Sequence, residues 1–364
     1  MRIGILGTRG IPNYHGGFEQ FAENFAVFAQ QAGHEVVVYN SSNHPYQKKE
    51  YKNVQLIHCY DPEPKIGTAG QFVYDLKCIL NSRKQHFDII LELGYTSSAP
   101  WFKLHSKTAI VITNMDGLEW KRSKYSSKVQ NFLLKAEKWA VNNSDYLISD
   151  SVGIQKYLKD KYNKKSTFIT YGSYVFDRPN QAVLEEYKLN PYEYNMLIAR
   201  MEPENNIEII LDGVAKSKIK TTFLVVGKNT VNEFGKRLTE KYKPHKHIHF
   251  VGGIYNQNHL DNLRYYSNLY FHGHSVGGTN PSLLEAMASS AFIIANDNLF
   301  NKAILEKDAL YFNTIEDVQN SIEKHTKKEY LNFIENNLEK IKTKYSWEII
   351  NKQYLDFFEK VIRK

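Results

Sequence analysis

The sequence is poor in cysteine, with only Cys59 and Cys78 among 364 residues. Two cysteines cannot build the disulfide framework of a small secreted protein or a four-cysteine zinc cluster. Long apolar runs are also missing, and the longest, such as "AFIIA" at 291–295, are far shorter than the ~20 residues of a membrane-spanning helix. Arg9 interrupts the first apolar run, so the N-terminus does not resemble a secretory signal. These absences predict a cytoplasmic protein that does not cross a membrane.

Two phosphate-binding motifs are absent as well. The first strand runs into a glycine-rich loop, but a dinucleotide fingerprint starting at Gly7 would need glycines where Arg9 and Pro12 stand. No G-x-x-x-x-G-K-[ST] string occurs anywhere in the chain. The sequence therefore argues against NAD chemistry and against P-loop ATP chemistry.

What the chain does contain is an alternation of short apolar runs and helical patterns. The predicted strands of the first half are 2–7, 35–40, 54–59, 88–94, 109–114, 146–150 and 167–172, and the predicted helices are 18–31, 68–83, 126–143 and 151–163. The predicted strands of the second half are 196–200, 221–227, 248–253, 269–273, 292–297 and 309–312. Apolar runs without polar alternation are typical of parallel strands that are covered on both faces. The fold class is therefore α/β, with two Rossmann-like, doubly wound domains.

The expected domain organisation follows from this alternation. We assign 1–175 to an N-terminal domain and 176–193, which has little periodicity, to a linker. Residues 194–344 form the expected second domain, and 345–364 a terminal helix. Ligands of doubly wound sheets bind beyond the carboxyl ends of the strands. Two such domains facing across a cleft suit an enzyme that joins two substrates.

Three segments carry candidate binding residues. Gly16 and Gly17 precede a predicted helix whose first amides favour an anion, although a tight turn alone would also explain them. In "HSVGGTNPSLLEAMA" (274–288), Asn280 is a good N-cap, and Glu285 lies one turn inside the helix, either to bind a vicinal diol or to face solvent. Arg200 follows a predicted strand, where a guanidinium can bind a diphosphate or form a surface salt bridge.

These segments resemble those of a known family. The strings "ARMEPENNIE" (199–208) and "GGTNPSLLEAM" (277–287) resemble retaining glycosyltransferases of family 4, which have the GT-B fold. The strings "GTRGIPNYHGGFE" (7–19) and "NMDGLEWKRSKY" (114–125) resemble a bacterial subgroup that includes rhamnosyltransferases of capsule and cell-wall polysaccharide assembly. Members of this subgroup use dTDP-L-rhamnose, and some act on a sugar carried by a lipid diphosphate. The tail "YSWEIINKQYLDFFEKV" (345–361) resembles the terminal helix that crosses back onto the N-terminal domain in this family.

The resemblance implies that 1–175 is the acceptor-side domain and that 194–344 is the nucleotide-sugar-binding domain. It also implies roles for particular residues. The implied donor-binding set is Gly16, Gly17, Arg200, Asn205, Gly252, Gly277, Gly278, Thr279, Asn280 and Glu285. Within it, Gly16, Gly17 and Arg200 would contact the donor diphosphate. Glu285 would bind the ribose and Gly252 would lie beside the base. The amides around Thr279 and Asn280 would contact the transferred sugar or its phosphates. Apart from the resemblance, His272 and His274 lie beside this loop, which makes each of them a candidate to face the donor.

Three positions depart from the family pattern. Asn205 stands where the family usually has a lysine, and Gly277 where it has a glutamate that binds hydroxyls of the transferred hexose. That loss argues against a plain glucosyl or mannosyl donor and is compatible with a 6-deoxysugar. Asp116 stands in the place of a histidine near the sugar, where it either accepts a hydroxyl hydrogen bond or caps a turn. Arg200 and Asp116 are the expected catalytic residues.

The acceptor side and the partners are predicted from charge. The chain carries a formal net charge of +8, and the stretch 103–138 has eight Lys or Arg against three Asp or Glu. Glu119, Lys121 and Arg122 in this stretch are the candidate acceptor-side residues. Besides the donor and a glycan or lipid-linked acceptor, the inner face of the plasma membrane is a candidate partner, although a solvated helical face explains the lysines as well. No nucleic acid, metal or cofactor is expected.

The resulting hypothesis is a glycosyltransferase that moves a hexose, L-rhamnose in the first instance, to a glycan acceptor with retention. Two alternatives stay open. One is a nucleotide-sugar epimerase of the same fold, which would need an acid/base set around one substrate. The other is a non-catalytic sugar-nucleotide-binding subunit, against which Arg200 and Glu285 argue.

Overall fold

The computed structural model describes residues 1–14, 16–122 and 125–363. They fold into two compact units. The first comprises Met1–Lys121, Tyr125–Gly172 and Trp347–Lys364, and the second comprises Arg122–Lys124 and Ser173–Ser346. The chain thus passes between the units near Gly172 and returns after Ser346, and a short segment around Arg122 belongs with the second unit.

The first unit is built on an eight-stranded sheet with the order β3-β4-β2-β1-β5-β6-β7-β8. Its strands are β1 (Arg2–Leu6), β2 (Glu35–Ser41), β3 (Glu50–Tyr51), β4 (Val54–Cys59), β5 (Ile89–Leu93), β6 (Ile110–Asn114), β7 (Tyr146–Ser149) and β8 (Thr167–Phe168). Its helices include α1 (Gly17–Gln31), α2 (Glu63–Ile66), α3 (Ala69–Ser82), α4 (Ser127–Asn143) and α5 (Val152–Tyr162). All pairings are parallel except that of β3 with β4.

The second unit has a six-stranded, fully parallel sheet with the order β11-β10-β9-β12-β13-β14. Its strands are β9 (Tyr194–Ile198), β10 (Thr222–Val226), β11 (Ile248–Gly252), β12 (Tyr270–His272), β13 (Ile293–Asn296) and β14 (Leu310–Phe312). Its helices are α6 (Val183–Glu186), α7 (Ile207–Lys216), α8 (Glu233–Tyr242), α9 (Gln257–Tyr266), α10 (Pro281–Ala288), α11 (Leu299–Leu305), α12 (Ile315–Lys324) and α13 (Leu331–Lys344). The α/β fold with two Rossmann-like sheets is confirmed.

The strand orders identify the edge where ligands are expected in each sheet. In the first sheet the order reverses at β1, which pairs with β2 on one side and β5 on the other. In the second sheet it reverses at β9, between β10 and β12. Doubly wound sheets bind ligands at the carboxyl ends of the strands beside such a switch. The glycine-rich loop follows β1, and Arg200 follows β9.

The last helix, α14 (Trp347–Ile362), belongs to the first unit. The ring centroid of Tyr354 in this helix lies 4.6 Å from that of Phe21 in α1. The Tyr354 hydroxyl also accepts a hydrogen bond of 3.0 Å from Asn114 Nδ2 at the end of β6. The C-terminal helix therefore completes the core of the first unit and supports the loop that follows β6. Segment 176–193, expected to be a linker, contains α6 and lies within the second unit.

Candidate functional site

The glycine-rich loop after β1 is shaped by its own packing. Gly7 and Gly10 have φ values of +79° and +119°, and a Cβ on either would overlap Leu93 or Asn40. Asn40 fixes the loop by accepting from Ile11 N at 3.1 Å and donating to Ile11 O at 2.8 Å. Gly16, in contrast, is exposed, and a Cβ there would meet only Glu19 Oε2 at 3.6 Å. Gly7 and Gly10 therefore serve the turn, while Gly16 is exposed and donates its N–H to Asn13 Oδ1 at 3.2 Å.

Gly16 is the N-cap of α1, and Gly17 is its first residue, so the predicted helix start is confirmed. The first N–H groups of a helix have no acceptor within it and favour a negative charge. The protein itself supplies one negative charge there, the carboxylate of Glu19 in the first turn of α1. This carboxylate accepts hydrogen bonds from Arg9 N at 2.8 Å and from Thr8 Oγ1 at 3.2 Å. The helix start thus combines an exposed Gly16 with a buried carboxylate that ties it to the loop after β1.

Asp116 lies in the loop after β6 with a left-handed φ of +48°. Its N–H donates to Asn114 Oδ1 at 3.0 Å, and the Asn114 amide donates in turn to Tyr354. A left-handed backbone at a non-glycine residue is strained, and such residues cluster at functional sites. The structure places Asp116, one of the two expected catalytic residues, at the carboxyl edge of the first sheet.

The structure adds Asp150, which the sequence analysis missed. It follows β7, directly before the N-cap Ser151 of α5, and its side chain is buried. Burial raises the pKa of the Tyr171 hydroxyl, and the charges of Asp116 and Asp150 raise it further. Two carboxylates therefore approach one tyrosine at this edge of the sheet. A run such as "YLISD" reads as a strand end, and nothing in its spacing marks the aspartate.

The remaining acceptor-side candidates lie in the segment after Asp116. Glu119 and Lys121 belong to a short 3-10 helix, and Lys121 Nζ lies 5.4 Å from the ring of Trp120. Arg122 belongs to the second unit, where its Nη1 is 3.8 Å from Glu204 Oε1. His15, Ser123 and Lys124, which belong to the two motifs of the first half, lie outside the described residues.

Arg200 lies two residues beyond β9, and its side chain is exposed. Among the residues that the structure describes, none places a carboxylate within ion-pair distance of its guanidinium. Asn205, in contrast, is buried, and its Nδ2 donates to the carbonyl of Arg200 at 2.7 Å. Asn205 therefore supports the turn after β9, while the charge of Arg200 remains available for an anion.

The loop between β12 and α10 meets this turn, because β12 and β9 are neighbouring strands. Gly277 has a φ of +124°, and Gly278 and Thr279 are buried. Asn280 caps α10 by accepting from Ser282 N at 2.8 Å, and Pro281 is the first helical residue, which confirms the predicted helix start. The capped start of α10 and Arg200 thus belong to one edge of the sheet.

Glu285 is held by a buried arginine that the sequence analysis missed. Arg264 Nη2 donates to Glu285 Oε2 at 2.6 Å, and the side chain of Arg264 is 1% exposed. Burial alone would lower the pKa of Arg264, but the carboxylates of Glu285 and Asp261 raise it above its usual value. Arg264 fixes one carboxylate oxygen, so a ligand diol would meet an oriented group. Gly252, the last residue of β11, has a φ of +75° and open space where a Cβ would stand.

His272 ends β12 and His274 follows it, and both are neutral near pH 7. Burial, then the charges of His274 and Arg264, lower the pKa of His272 to about 3. Burial, then the charges of Arg122 and Arg200, lower the pKa of His274 to about 4. His274 Nδ1 lies 3.1 Å from Asn205 Oδ1. The sequence made both histidines candidates to face the donor, and His274 lies near Arg200 and Gly277.

Two negative observations apply to the described parts of the chain. Within them, no group of three or more His, Cys, Asp or Glu side chains is placed to hold a metal ion. Among their helices, none is long and apolar enough to cross a membrane.

Comparison with known families divides the chain in the same way as its two sheets. Residues 1–174 match a family described as a domain of unknown function (DUF1972). Residues 186–340 match the family of glycosyl transferases group 1. None of the curated proteins matches this chain.

Solved structures of similar fold cover nearly the whole chain. Sucrose-phosphate synthase from Thermosynechococcus elongatus is 16% identical with a TM-score of 0.81, and the match covers 100% of this chain and 99% of that one. Anabaena HepE in complex with UDP is 13% identical with a TM-score of 0.75, over 99% and 100% of the two chains. The α,α-trehalose 6-phosphate synthase from Burkholderia multivorans is 10% identical with a TM-score of 0.72, over 99% and 96%. At these identities the likeness establishes the fold, which is GT-B.

Proposed function

We propose that this enzyme, a glycosyltransferase of the GT-B fold, transfers L-rhamnose from dTDP-L-rhamnose to a glycan acceptor with retention of configuration. The observation that carries the proposal is the grouping at the carboxyl edge of the second sheet. There an exposed Arg200 follows β9. The capped start of α10 and an oriented Glu285 within α10 follow the neighbouring strand β12. A guanidinium and helix amides suit a diphosphate, and a fixed carboxylate suits a ribose diol.

This grouping has a direct use in glycosyl transfer. Breaking the bond between the anomeric carbon and phosphate develops negative charge on the nucleoside diphosphate. We expect Arg200 and the amides before α10 to stabilise that charge, because a cation and backbone N–H groups both attract it. Gly16 and Gly17 are further proposed contacts of the donor diphosphate, on the strength of the family resemblance. Asp116, with Glu119 and Lys121, is proposed for the acceptor side, and we expect no metal to be needed.

The choice of rhamnose is supported by sequence features of both halves. Gly277 offers no carboxylate to the transferred sugar, which disfavours a donor recognised through many hydroxyls. The motifs at 7–19 and 114–125 resemble those of rhamnosyltransferases, some of which act on lipid-diphosphate acceptors. The Anabaena HepE structures contain UDP or UDP-glucose. They support a nucleotide-sugar donor here and make UDP-glucose the natural competing donor.

A donor screen tests the proposal. Purified protein is incubated with dTDP-L-rhamnose, UDP-glucose, UDP-GlcNAc and GDP-mannose, each with a lipid-diphosphate monosaccharide as acceptor. We expect product with dTDP-L-rhamnose and none with the other donors. Transfer from UDP-glucose would refute rhamnose as the sugar. Isomerised donor without transfer would indicate the epimerase alternative.

Replacing Arg200 tests the leaving-group site. We expect Arg200→Ala to lower kcat by about 100- to 1,000-fold, the usual cost of removing one contact to the developing charge. The fold should persist, because the Arg200 side chain is exposed and its carbonyl still accepts from Asn205. The matched control is Arg237→Ala, an exposed arginine of α8 that pairs with Glu208. Equal activity of the two variants would remove Arg200 from the site.

A further inference from the structure

His274 stands on a loop that is clamped on several sides. Its carbonyl accepts from Asn298 Nδ2 at 2.9 Å and from Asn301 Nδ2 at 3.0 Å. The next residue, Ser275, donates its Oγ to the carbonyl of Glu204 at 2.7 Å. Gly273 before it permits close packing, because a Cβ there would overlap the Asn205 carbonyl. The position of the imidazole is therefore set before any ligand binds.

The hydrogen positions on the His274 ring follow from its contact with Asn205. The carbonyl of Arg200 can only accept, so the Asn205 atom that lies 2.7 Å from it must be the donating Nδ2. Asn205 Oδ1 then faces His274 Nδ1 at 3.1 Å and can only accept. His274 Nδ1 must therefore carry the hydrogen. In a neutral ring Nε2 then has a lone pair and no hydrogen.

The unprotonated nitrogen faces the glycine loop before α10. A Cβ on Gly277 would lie 3.4 Å from His274 Nε2, and no described residue forms a hydrogen bond with this atom. The charges of Arg200 and Arg122 oppose protonation of the ring, since both lower the pKa of His274. The site thus presents a fixed acceptor beside position 277, where a Cβ would contact the ring nitrogen.

We propose that His274 Nε2 accepts a hydrogen bond from a hydroxyl of the sugar being transferred, which makes His274 a specificity-determining residue. A phosphate oxygen is excluded as the partner, because two acceptors repel. A hydroxyl next to the diphosphate fits, and on a nucleotide-sugar such hydroxyls belong either to the sugar or to the ribose. Glu285 already offers an oriented acceptor for a ribose diol, which assigns His274 to the sugar. The inference rests on the proposed nucleotide-sugar donor but does not require that the sugar is rhamnose.

Calorimetry tests the contact without an acceptor or turnover. The affinities of wild-type protein and His274→Phe are measured for dTDP and dTDP-L-rhamnose, and in parallel for UDP and UDP-glucose. The ratio of affinities with and without the sugar isolates the sugar's own contribution. We expect His274→Phe to lower this ratio by about 3- to 10-fold, the range of one neutral hydrogen bond, with nucleotide affinity unchanged. His274→Gln, which restores an acceptor, should recover part of the loss.

The control is His325→Phe, the same change at a histidine that bonds Tyr330 after α12, and it should leave both affinities unchanged. Thermal unfolding of each variant shows whether it is folded. Weaker binding of dTDP or UDP itself by His274→Phe would place the contact on the ribose and overturn the proposal. An unchanged ratio would also overturn it. A sugar contribution seen only with UDP-glucose would refute the rhamnose donor, while His274 would still be tested with that donor.

Discussion

Arg264 holds a full positive charge inside the second unit, with its side chain 1% exposed. Its guanidinium reaches Asp261 Oδ1 at 3.1 Å, Ser282 Oγ at 3.3 Å and Glu285 Oε2 at 2.6 Å. Removing one partner of a buried ion pair costs far more than removing an exposed pair, because the other charge is left without compensation. The proposed ribose carboxylate is therefore tied to the stability of the unit that carries it.

We expect Arg264→Met to lower the free energy of unfolding by about 3–5 kcal/mol, measured by urea titration. The matched control is Arg237→Met. Arg237 also contacts a glutamate, Glu208, through two bonds of 2.7–2.8 Å, but its side chain is 52% exposed. Exposed pairs contribute little, so this variant should change much less. Equal losses in the two variants would show that burial of Arg264 does not set its energetic weight.

The sequence alone identifies those site residues that have a characteristic local spacing. Asn280 and Pro281 were predicted as cap and first helical residue, since this pair has a local physical cause at the start of a helix. Arg264 was missed because one arginine in "NLRYYS" has no spacing that distinguishes a buried partner from a solvated one. The substitution of Asn205 was visible in the sequence, but its bonds to Arg200 and His274 depend on two loops that only the fold brings together.

At the scale of elements, apolar runs predicted the longer strands to within about two residues at each end. The prediction for β9 started at 196, whereas the strand begins at Tyr194. The start was missed because Asn195 is polar, and a polar side chain argues against a buried strand unless its partner is known. In the structure Asn195 Oδ1 accepts a hydrogen bond of 3.1 Å from the N–H of Leu269. The two-residue β3 was missed, since it is fixed by pairing with β4 and not by composition.

Helix α3 contains a second feature that the sequence pattern does not reveal, the buried carboxyl group of Asp75. Asp75 is 7% exposed, and burial raises its pKa from 3.8 to about 7. The carboxylates of Glu92 and Asp61 raise this pKa further, while Ser97 and Arg9 oppose the change. The folded state therefore holds a proton on Asp75 that the unfolded state releases near pH 4. A helical sequence pattern alone does not show that the Asp75 carboxyl group is buried.

This shift predicts how stability depends on pH. A raised carboxyl pKa gives stability that is complete below about pH 4 and is lost as the pH rises through about 7. Asp75→Asn should remove this loss, so its advantage over wild type should grow between pH 5 and 7 and reach roughly 1–4 kcal/mol at pH 8. Urea unfolding at pH 5, 6, 7 and 8 measures it. Asp160→Asn, an exposed change in α5, is the control, and a constant offset for Asp75→Asn would contradict the prediction.

At the scale of the whole molecule, the chain supplies three segments to the first unit and two to the second. The alternation of strands and helices was enough to predict two Rossmann-like sheets. The pattern of the tail predicted a helix, but only the family resemblance indicated where that helix packs. The reason is physical: an amphipathic stripe specifies that a helix is buried on one side, and not which of two domains buries it.

The last helix leads to a prediction about the folding of the first unit. Helix α14 buries six large apolar side chains there, which are Trp347, Ile350, Tyr354, Leu355, Phe358 and Val361. At about 1.5–3 kcal/mol for each buried side chain, their sum is comparable with the 5–15 kcal/mol that stabilises a typical domain. Removing residues 347–364 should therefore unfold the first unit and leave the second folded.

Hydrogen exchange read by mass spectrometry distinguishes the two units in this truncated chain. Protection should be lost in β1 and α1, since Phe21 and Phe25 pack on Tyr354 and Phe358, and be kept in β9 and β10. A synthetic peptide of residues 346–363 should restore protection in the first unit, and the same peptide with Tyr354→Ala should do so more weakly. Because the Tyr354 hydroxyl also bonds Asn114 beside Asp116, the restored state should recover glycosyl transfer together with protection. Protection retained in β1 without the helix would show that the first unit folds independently of its returning segment.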